Sequence, residues 1–103
     1  MTFADAQGRV MERTYIVECY WPGVTQRAYA EAVTRVRAAA GATREVRFLD
    51  SLLVPVDEAA YFRFAGGSAA DVEQACRRAG LSYARILEYV GLPEDAEPPA
   101  PAG

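Results

Sequence analysis

The chain has 103 residues, 51% of them hydrophobic and 24% charged, which is typical of one globular domain rather than a disordered or fibrous chain. Its 11 Lys and Arg against 14 Asp and Glu give a net charge of −3, and this balance argues against nucleic acid or an anionic membrane surface as a partner. The complete absence of histidine excludes Ser-His-Asp and Cys-His catalytic arrangements and histidine-based zinc sites.

The first predicted element is a β-strand. Residues 1–12 show no hydrophobic period and are predicted to be a flexible leader. Residues 13–21, RTYIVECYW, alternate apolar and polar positions and are rich in β-branched and aromatic side chains, which predicts a strand. Pro22 and Gly23 then predict a turn.

The next segment has the pattern of an amphipathic helix. Thr25 is a good N-cap, and the helix is predicted from residue 26 to about residue 40, ending at Gly41. Its apolar stripe, which predicts that it covers one side of a sheet, consists of Tyr29, Ala32, Val33, Val36 and Ala40.

Two further strands are predicted to form a hairpin. Residues 44–56 read as a long second strand and residues 60–65 as a third, with the turn at Asp57 and Glu58. Simple alternation in the second strand places Val46, Phe48, Leu52 and Val54 on one face and Arg47, Leu49, Ser51 and Leu53 on the other.

A second helix and a fourth strand complete the domain. Ser68 and Asp71 have the spacing of a capping box, so a helix is predicted from there to a stop at Gly80. Residues 82–90, SYARILEYV, predict a fourth strand, and the acidic, Pro- and Ala-rich tail 92–103 is predicted to be disordered.

The order β-α-β-β-α-β predicts a ferredoxin-like α+β domain over residues 13–91, a four-stranded antiparallel sheet with both helices on one face. The other sheet face is left uncovered and is expected to carry Ile16, Leu49 and Leu53. Because an exposed apolar face of this size marks association, we expect a homodimer formed through the sheet. The chain shows no signal peptide and no run of roughly 20 apolar residues, so a cytoplasmic protein without membrane contact is expected.

Three short segments of the chain match a known family, over about residues 14–90. They are VE…WPGVT at 17–25, VR.L.S at 46–51 and RRAGL....I.E at 77–88. In them the chain resembles the bacterial nickel-responsive, ferredoxin-like dimers long catalogued as a domain of unknown function. The resemblance implies a dimeric ferredoxin-like α+β barrel, and nickel binding in some members. Tyr20 and Ala75 stand where members often have His, so no metal ligand is carried over to this chain.

The uncovered face also provides candidate site residues. Strand alternation is expected to place Glu18, Arg47 and Arg63 together on it, where a carboxylate between guanidiniums would bind an anionic or enolic ligand or act as a base on it. The alternative is that these charges form ion pairs at a dimer interface. Hydrogen bonds to a ligand are expected from Tyr20, Tyr61 and Tyr83.

Three functions remain open on this scaffold. The first is a homodimeric small-molecule-binding protein with a partly apolar, aromatic-lined pocket. The second is a cofactor-independent cyclase or isomerase of an enolisable aromatic, polyketide-like substrate, with Glu18 as base and Arg47 and Arg63 as electrophilic partners. The third is a purely structural dimer. No cofactor is predicted, nickel binding is disfavoured by the lack of His, and Cys19 and Cys76 are expected to be buried free thiols.

Overall fold

The computed structural model describes residues 12–91, so the predicted leader up to residue 11 and the predicted tail lie outside the described residues. The strands pair in the order β2-β3-β1-β4, and all neighbours are antiparallel, which is the ferredoxin-like α+β arrangement. Neither helix in this part of the chain is long and apolar enough to cross a membrane. In chain order the elements are β1 (Arg13–Tyr20), α1 (Gln26–Ala42), β2 (Val46–Val54), β3 (Ala59–Gly66), α2 (Ala69–Arg78) and β4 (Arg85–Tyr89).

The core lies between the sheet and the two helices. Strand β1 contributes every second residue to it, as its alternation predicts, and β3 contributes the two largest fully buried side chains, Phe62 and Phe64. Burying such a side chain stabilises the fold by roughly 1.5–3 kcal/mol. The other large members, from β1, α1 and α2, are Tyr15, Val17, Cys19, Val36, Val72 and Cys76.

Both helices begin at the predicted residues. The Thr25 hydroxyl accepts a hydrogen bond from the Ala28 amide at 3.0 Å, and the Ser68 hydroxyl accepts one from the Asp71 amide at 3.2 Å. Each cap satisfies an amide that has no partner within its helix. The sequence therefore sets both helix starts locally.

The predicted end of α1 at Gly41 is wrong, because the helix continues to Ala42 and is capped by Thr43. The buried Thr43 hydroxyl donates to the Ala39 carbonyl at 2.7 Å, and the Thr43 amide donates to the Ala40 carbonyl at 3.1 Å. The hydroxyl and the amide of Thr43 thus satisfy two carbonyls of the last turn without a left-handed glycine. Helix α2, in contrast, does end before a left-handed glycine, Gly80.

Strand β2 departs from simple alternation. Phe48 pairs with Phe64, but the next paired residue is Asp50, so Leu49 lies in a β-bulge. An extra residue in one strand reverses the faces of all positions that follow it. The expectation that Leu53 lies on the uncovered face is therefore wrong: it packs against the core, while Leu52 is exposed.

The connections around β3 and β4 also differ from the prediction. The hairpin between β2 and β3 is made by a 3₁₀ turn, Pro55–Asp57, followed by Glu58 in the left-handed conformation with φ 49°. Strand β4 begins only at Arg85, so Tyr83 lies in the preceding loop rather than in the strand.

Candidate functional site

The three predicted catalytic residues lie on the open face of the sheet, which the helices do not cover. Glu18 is opposite Tyr61 in the pairing of β1 with β3. Arg63 is two residues further along β3 and so points to the same face, and Arg47 is opposite Ala65, two residues beyond Arg63. Alternation therefore predicted their shared face correctly.

None of the three is paired with another of the three. Glu18 binds Arg85 of the neighbouring strand β4, with 3.0 Å between the Glu18 Oε2 and the Arg85 Nε. Arg47 binds Glu12, with 3.0 Å between its Nη2 and the Glu12 Oε1. A carboxylate set between two guanidiniums is thus not what this face holds, and the catalytic role of these residues stays a prediction.

Arg63 binds side chains of two other strands. Its Nε and Nη2 groups donate to the two carboxylate oxygens of Asp50 on β2. Its Nη1 donates to the Tyr89 hydroxyl on β4 at 2.9 Å, and the guanidinium lies 5.7 Å from the centre of that ring. Hydrogen bonding to Arg63 lowers the pKa of Asp50, and the Asp50 carboxylate raises the pKa of Arg63. From its position on β3, Arg63 therefore links the adjacent strand β2 to β4, which lies on the far side of β1.

A pocket of about 280 Å³ lies at the end of β1. It is formed by three segments distant in sequence: the end of β1, the middle of α1 and the loop after α2. Tyr20 is the predicted ligand-binding residue that lines it, whereas Tyr61 and Tyr83 do not. Its lining residues are Tyr20, Trp21, Arg35, Gly80, Leu81 and Ser82.

One wall of this pocket is held by the turn after β1. The Trp21 amide donates to the Glu58 carbonyl at 2.6 Å, and the Val24 amide donates to the Trp21 carbonyl at 3.2 Å. The Glu58 carboxylate accepts a hydrogen bond from the Gly23 amide at 2.7 Å. The turn is therefore tied through Glu58 to the β2–β3 hairpin, and this fixes the backbone that carries Trp21.

The opposite wall is held by the end of α2. The Arg35 Nε donates to the Ala79 carbonyl at 3.0 Å, which joins the middle of α1 to the end of α2. The Gly80 amide donates to the Arg77 carbonyl and the amide of the buried Leu81 donates to the Cys76 carbonyl, each at 3.0 Å. The backbone of this loop is thus anchored to the last turn of the helix.

The side chains around the pocket are two aromatic rings, a guanidinium, a hydroxyl and the apolar chain of Leu81. Tyr20 and Trp21 provide two rings, and Arg35 provides a permanent positive charge. None of the lining residues is a carboxylate. Sequence reasoning missed Trp21, Arg35 and residues 80–82. The one available signal was the position of the chain's single tryptophan at the end of a strand, directly before the Pro22–Gly23 turn.

The two cysteines are buried free thiols, as predicted. Burial raises the pKa of Cys19 to about 11 and that of Cys76 to about 12. Both are therefore protonated at neutral pH and are poor nucleophiles and poor metal ligands. Within residues 12–91, no three or more Cys, Asp or Glu side chains are grouped so as to hold a metal ion.

Comparison with known proteins supports the fold. No protein-family model matches the chain, and no curated protein matches it, so membership of the nickel-responsive family stays a prediction. Among solved structures, the chain is similar to that of SCO4226 from Streptomyces coelicolor A3(2), with a TM-score of 0.67 and 22% sequence identity. The match covers 74% of this chain and 94% of that one. Together with the strand order, this similarity establishes a ferredoxin-like α+β domain.

Proposed function

We propose that the chain is a homodimeric small-molecule-binding domain, with its ligand in the pocket between Trp21, Arg35 and Leu81. The pocket itself carries the proposal: about 280 Å³, lined by two aromatic side chains and the apolar Leu81 together with the guanidinium of Arg35 and the hydroxyl of Ser82. Ligand sites are concavities of about 300–1,000 Å³ with a small number of placed polar groups, and this pocket lies just below the lower end of that range. The ligand is therefore small.

The fixed backbone around the pocket supports this proposal. On one side Glu58 holds the turn that carries Trp21, and on the other Arg35 and the last turn of α2 hold the loop that carries Leu81. A pocket whose walls are already ordered loses less conformational entropy when a ligand binds. Binding then requires no rearrangement of the fold.

The open sheet face supports the dimer. Leu52 and Leu87 are 45% and 40% exposed there, although both lie within strands. Around them the face carries both acids and bases, arranged in three ion pairs, Asp50 with Arg63, Glu18 with Arg85 and Glu12 with Arg47. Since a two-fold axis brings a surface against its own copy, a face of mixed charge can place acids of one protomer near bases of the other.

Ligand binding is tested with a panel of single-ring aromatic fragments, followed by thermal shift and by the fluorescence of Trp21, the one tryptophan in the chain. Ser82→Tyr fills the pocket, whereas Ala84→Tyr adds the same side chain at an exposed position of the same loop that does not line it. We expect fragments to stabilise wild type and A84Y but not S82Y. Absence of any binding fragment, or equal binding to S82Y, would overturn the proposal.

The dimer is tested by sedimentation. We expect wild type to sediment at twice the protomer mass of 11.2 kDa. Leu87→Glu places a charge on the open face and is expected to give a monomer. Val56→Glu is the matched control, because Val56 is 89% exposed but lies in the turn between β2 and β3. A monomeric wild type, or equal dissociation of both variants, would contradict a dimer formed through the sheet.

A further inference from the structure

The charge and size of the pocket narrow its ligand to one chemical class. We infer that it binds a single-ring aromatic carboxylate, with Arg35 as the group that holds the carboxylate. This inference rests on the proposed function, that the pocket takes up a small molecule. It adds the charge of the ligand, its size and the residue that recognises it.

Arg35 is placed to hold an anion. Within residues 12–91 no carboxylate pairs with it, and its one hydrogen bond, from Nε to the Ala79 carbonyl, leaves both Nη groups available. That bond also fixes the direction of the guanidinium. Two Nη groups match the two oxygens of a carboxylate, which is the geometry of the strongest Arg–anion pairs. An acid engages each of the arginines Arg13, Arg27, Arg47, Arg63, Arg77 and Arg85. Arg37, Arg44 and Arg78 also have no carboxylate partner within residues 12–91, but they do not line the pocket.

The rest of the lining agrees with an anionic ligand. Tyr20, Trp21 and Ser82 can each donate a hydrogen bond, and no lining residue carries a negative charge that would repel a carboxylate. The indole and phenol rings offer apolar surface against which a flat ring packs. An aliphatic acid would leave this surface without a partner, and a neutral aromatic would leave the guanidinium without one.

The volume sets the size of the ligand. A pocket of about 280 Å³ is about nine times the roughly 30 Å³ that a water molecule occupies in the liquid. One six-membered ring with a carboxylate, as in benzoate, fits this space. A fused polyketide of several rings has more atoms than this space holds, so part of it would lie outside. The pocket therefore favours a benzoate-like acid over the larger planar substrates considered from the sequence.

The test compares three probes on wild-type protein, with binding followed by Trp21 fluorescence at constant ionic strength. Benzoate carries the ring and the charge, benzamide carries the ring without the charge, and acetate carries the charge without the ring. We expect benzoate to bind at least tenfold more tightly than either, since a charge-assisted hydrogen bond contributes about 1.5–3 kcal/mol and each 1.4 kcal/mol is tenfold in affinity. Equal binding of benzamide and benzoate overturns the inference but leaves the proposed function intact. If neither binds, the inference is wrong and the fragment panel decides the proposed function separately.

Two variants on the same helix test the role of Arg35. Arg35→Gln is expected to weaken benzoate binding about tenfold or more and to weaken benzamide binding much less. Arg37→Gln removes the same charge from an exposed position of α1 that does not line the pocket, and it should bind benzoate as wild type does. Equal loss of benzoate binding in both variants would mean a general effect of net charge and would refute Arg35 as the residue that holds the carboxylate. The probe comparison on wild-type protein keeps the inference testable if R35Q folds poorly.

Discussion

Replacing Arg63 with methionine tests whether this arginine stabilises the sheet by linking β2 to β4. Methionine keeps a flexible apolar chain over the open face and removes every polar interaction of the guanidinium. These interactions are the two hydrogen bonds to Asp50, the 2.9 Å bond to the Tyr89 hydroxyl and the cation–π contact with that ring at 5.7 Å. We expect R63M to fold, because none of these groups belongs to the core.

The size of the effect follows from the exposure of the side chains. Arg63 and Asp50 are 36% and 51% exposed, so solvent screens the pair. Exposed ion pairs contribute about 0.2–1 kcal/mol, and two-point geometry favours the upper end of this range. An exposed cation–π contact adds about 0.5–1 kcal/mol. R63M should therefore lower the free energy of unfolding at pH 7 by about 1–2 kcal/mol.

The Asp50 part of this effect depends on pH. Hydrogen bonding to Arg63 lowers the pKa of Asp50 below its ordinary 3.8 in the folded state. The folded state thus binds this proton less readily than the unfolded state, so the stabilisation is present above the ordinary pKa and is lost as pH falls through the folded pKa. The difference between wild type and R63M should narrow below about pH 4, while the part due to Tyr89 remains.

The assay is urea unfolding followed by Trp21 fluorescence, at a fixed protomer concentration and at a series of pH values. Arg47→Met is the matched control, because Arg47 and Glu12 form an ion pair on the same face that is 64% and 49% exposed, and within residues 12–91 Arg47 has no aromatic partner. We expect R47M to change the free energy of unfolding by less than about 0.5 kcal/mol. Equal destabilisation of R63M and R47M would refute the reasoning. So would a difference in the free energy of unfolding between wild type and R63M that does not change with pH.

Three further outcomes are expected. Burial raises the pKa of Cys19 to about 11 and that of Cys76 to about 12, so at pH 8 both should react with a thiol reagent far more slowly in the native protein than in urea. Rapid modification of the native protein would contradict their protonated, buried state. Ser68→Ala removes the N-cap of α2 and should lower the free energy of unfolding by about 1 kcal/mol in thermal melts, whereas an unchanged melting temperature would show that the cap is dispensable. In Gly80→Ala the added methyl group meets no atom within 4 Å, but the residue must keep φ +67°. The variant should therefore lower the free energy of unfolding in urea by about 1 kcal/mol, and a change near zero would contradict backbone strain as the cause.

The sequence by itself determined the elements and their order, because the signals for them are local. Alternation in RTYIVECY places Tyr15, Val17 and Cys19 in the core, and all three are buried. Thr25 and Ser68 start their helices through hydrogen bonds to amides three residues away. Interactions of this range are fixed by neighbouring residues, and so the β-α-β-β-α-β order and the ferredoxin-like fold could be predicted from them.

Only the tertiary structure decided the register and the site, because both depend on contacts between segments distant in sequence. The bulge at Leu49 arises from the pairing of β2 with β3, and it turns Leu53 inward against the expected alternation. Arg63 and Asp50 are 13 residues apart and lie opposite each other on the neighbouring strands β2 and β3, in a register that depends on the bulge and that no local period indicates. The pocket forms only where three segments meet, which are the end of β1, the middle of α1 and the loop after α2. The position of Arg35 in it is therefore defined only once the helices are packed on the sheet.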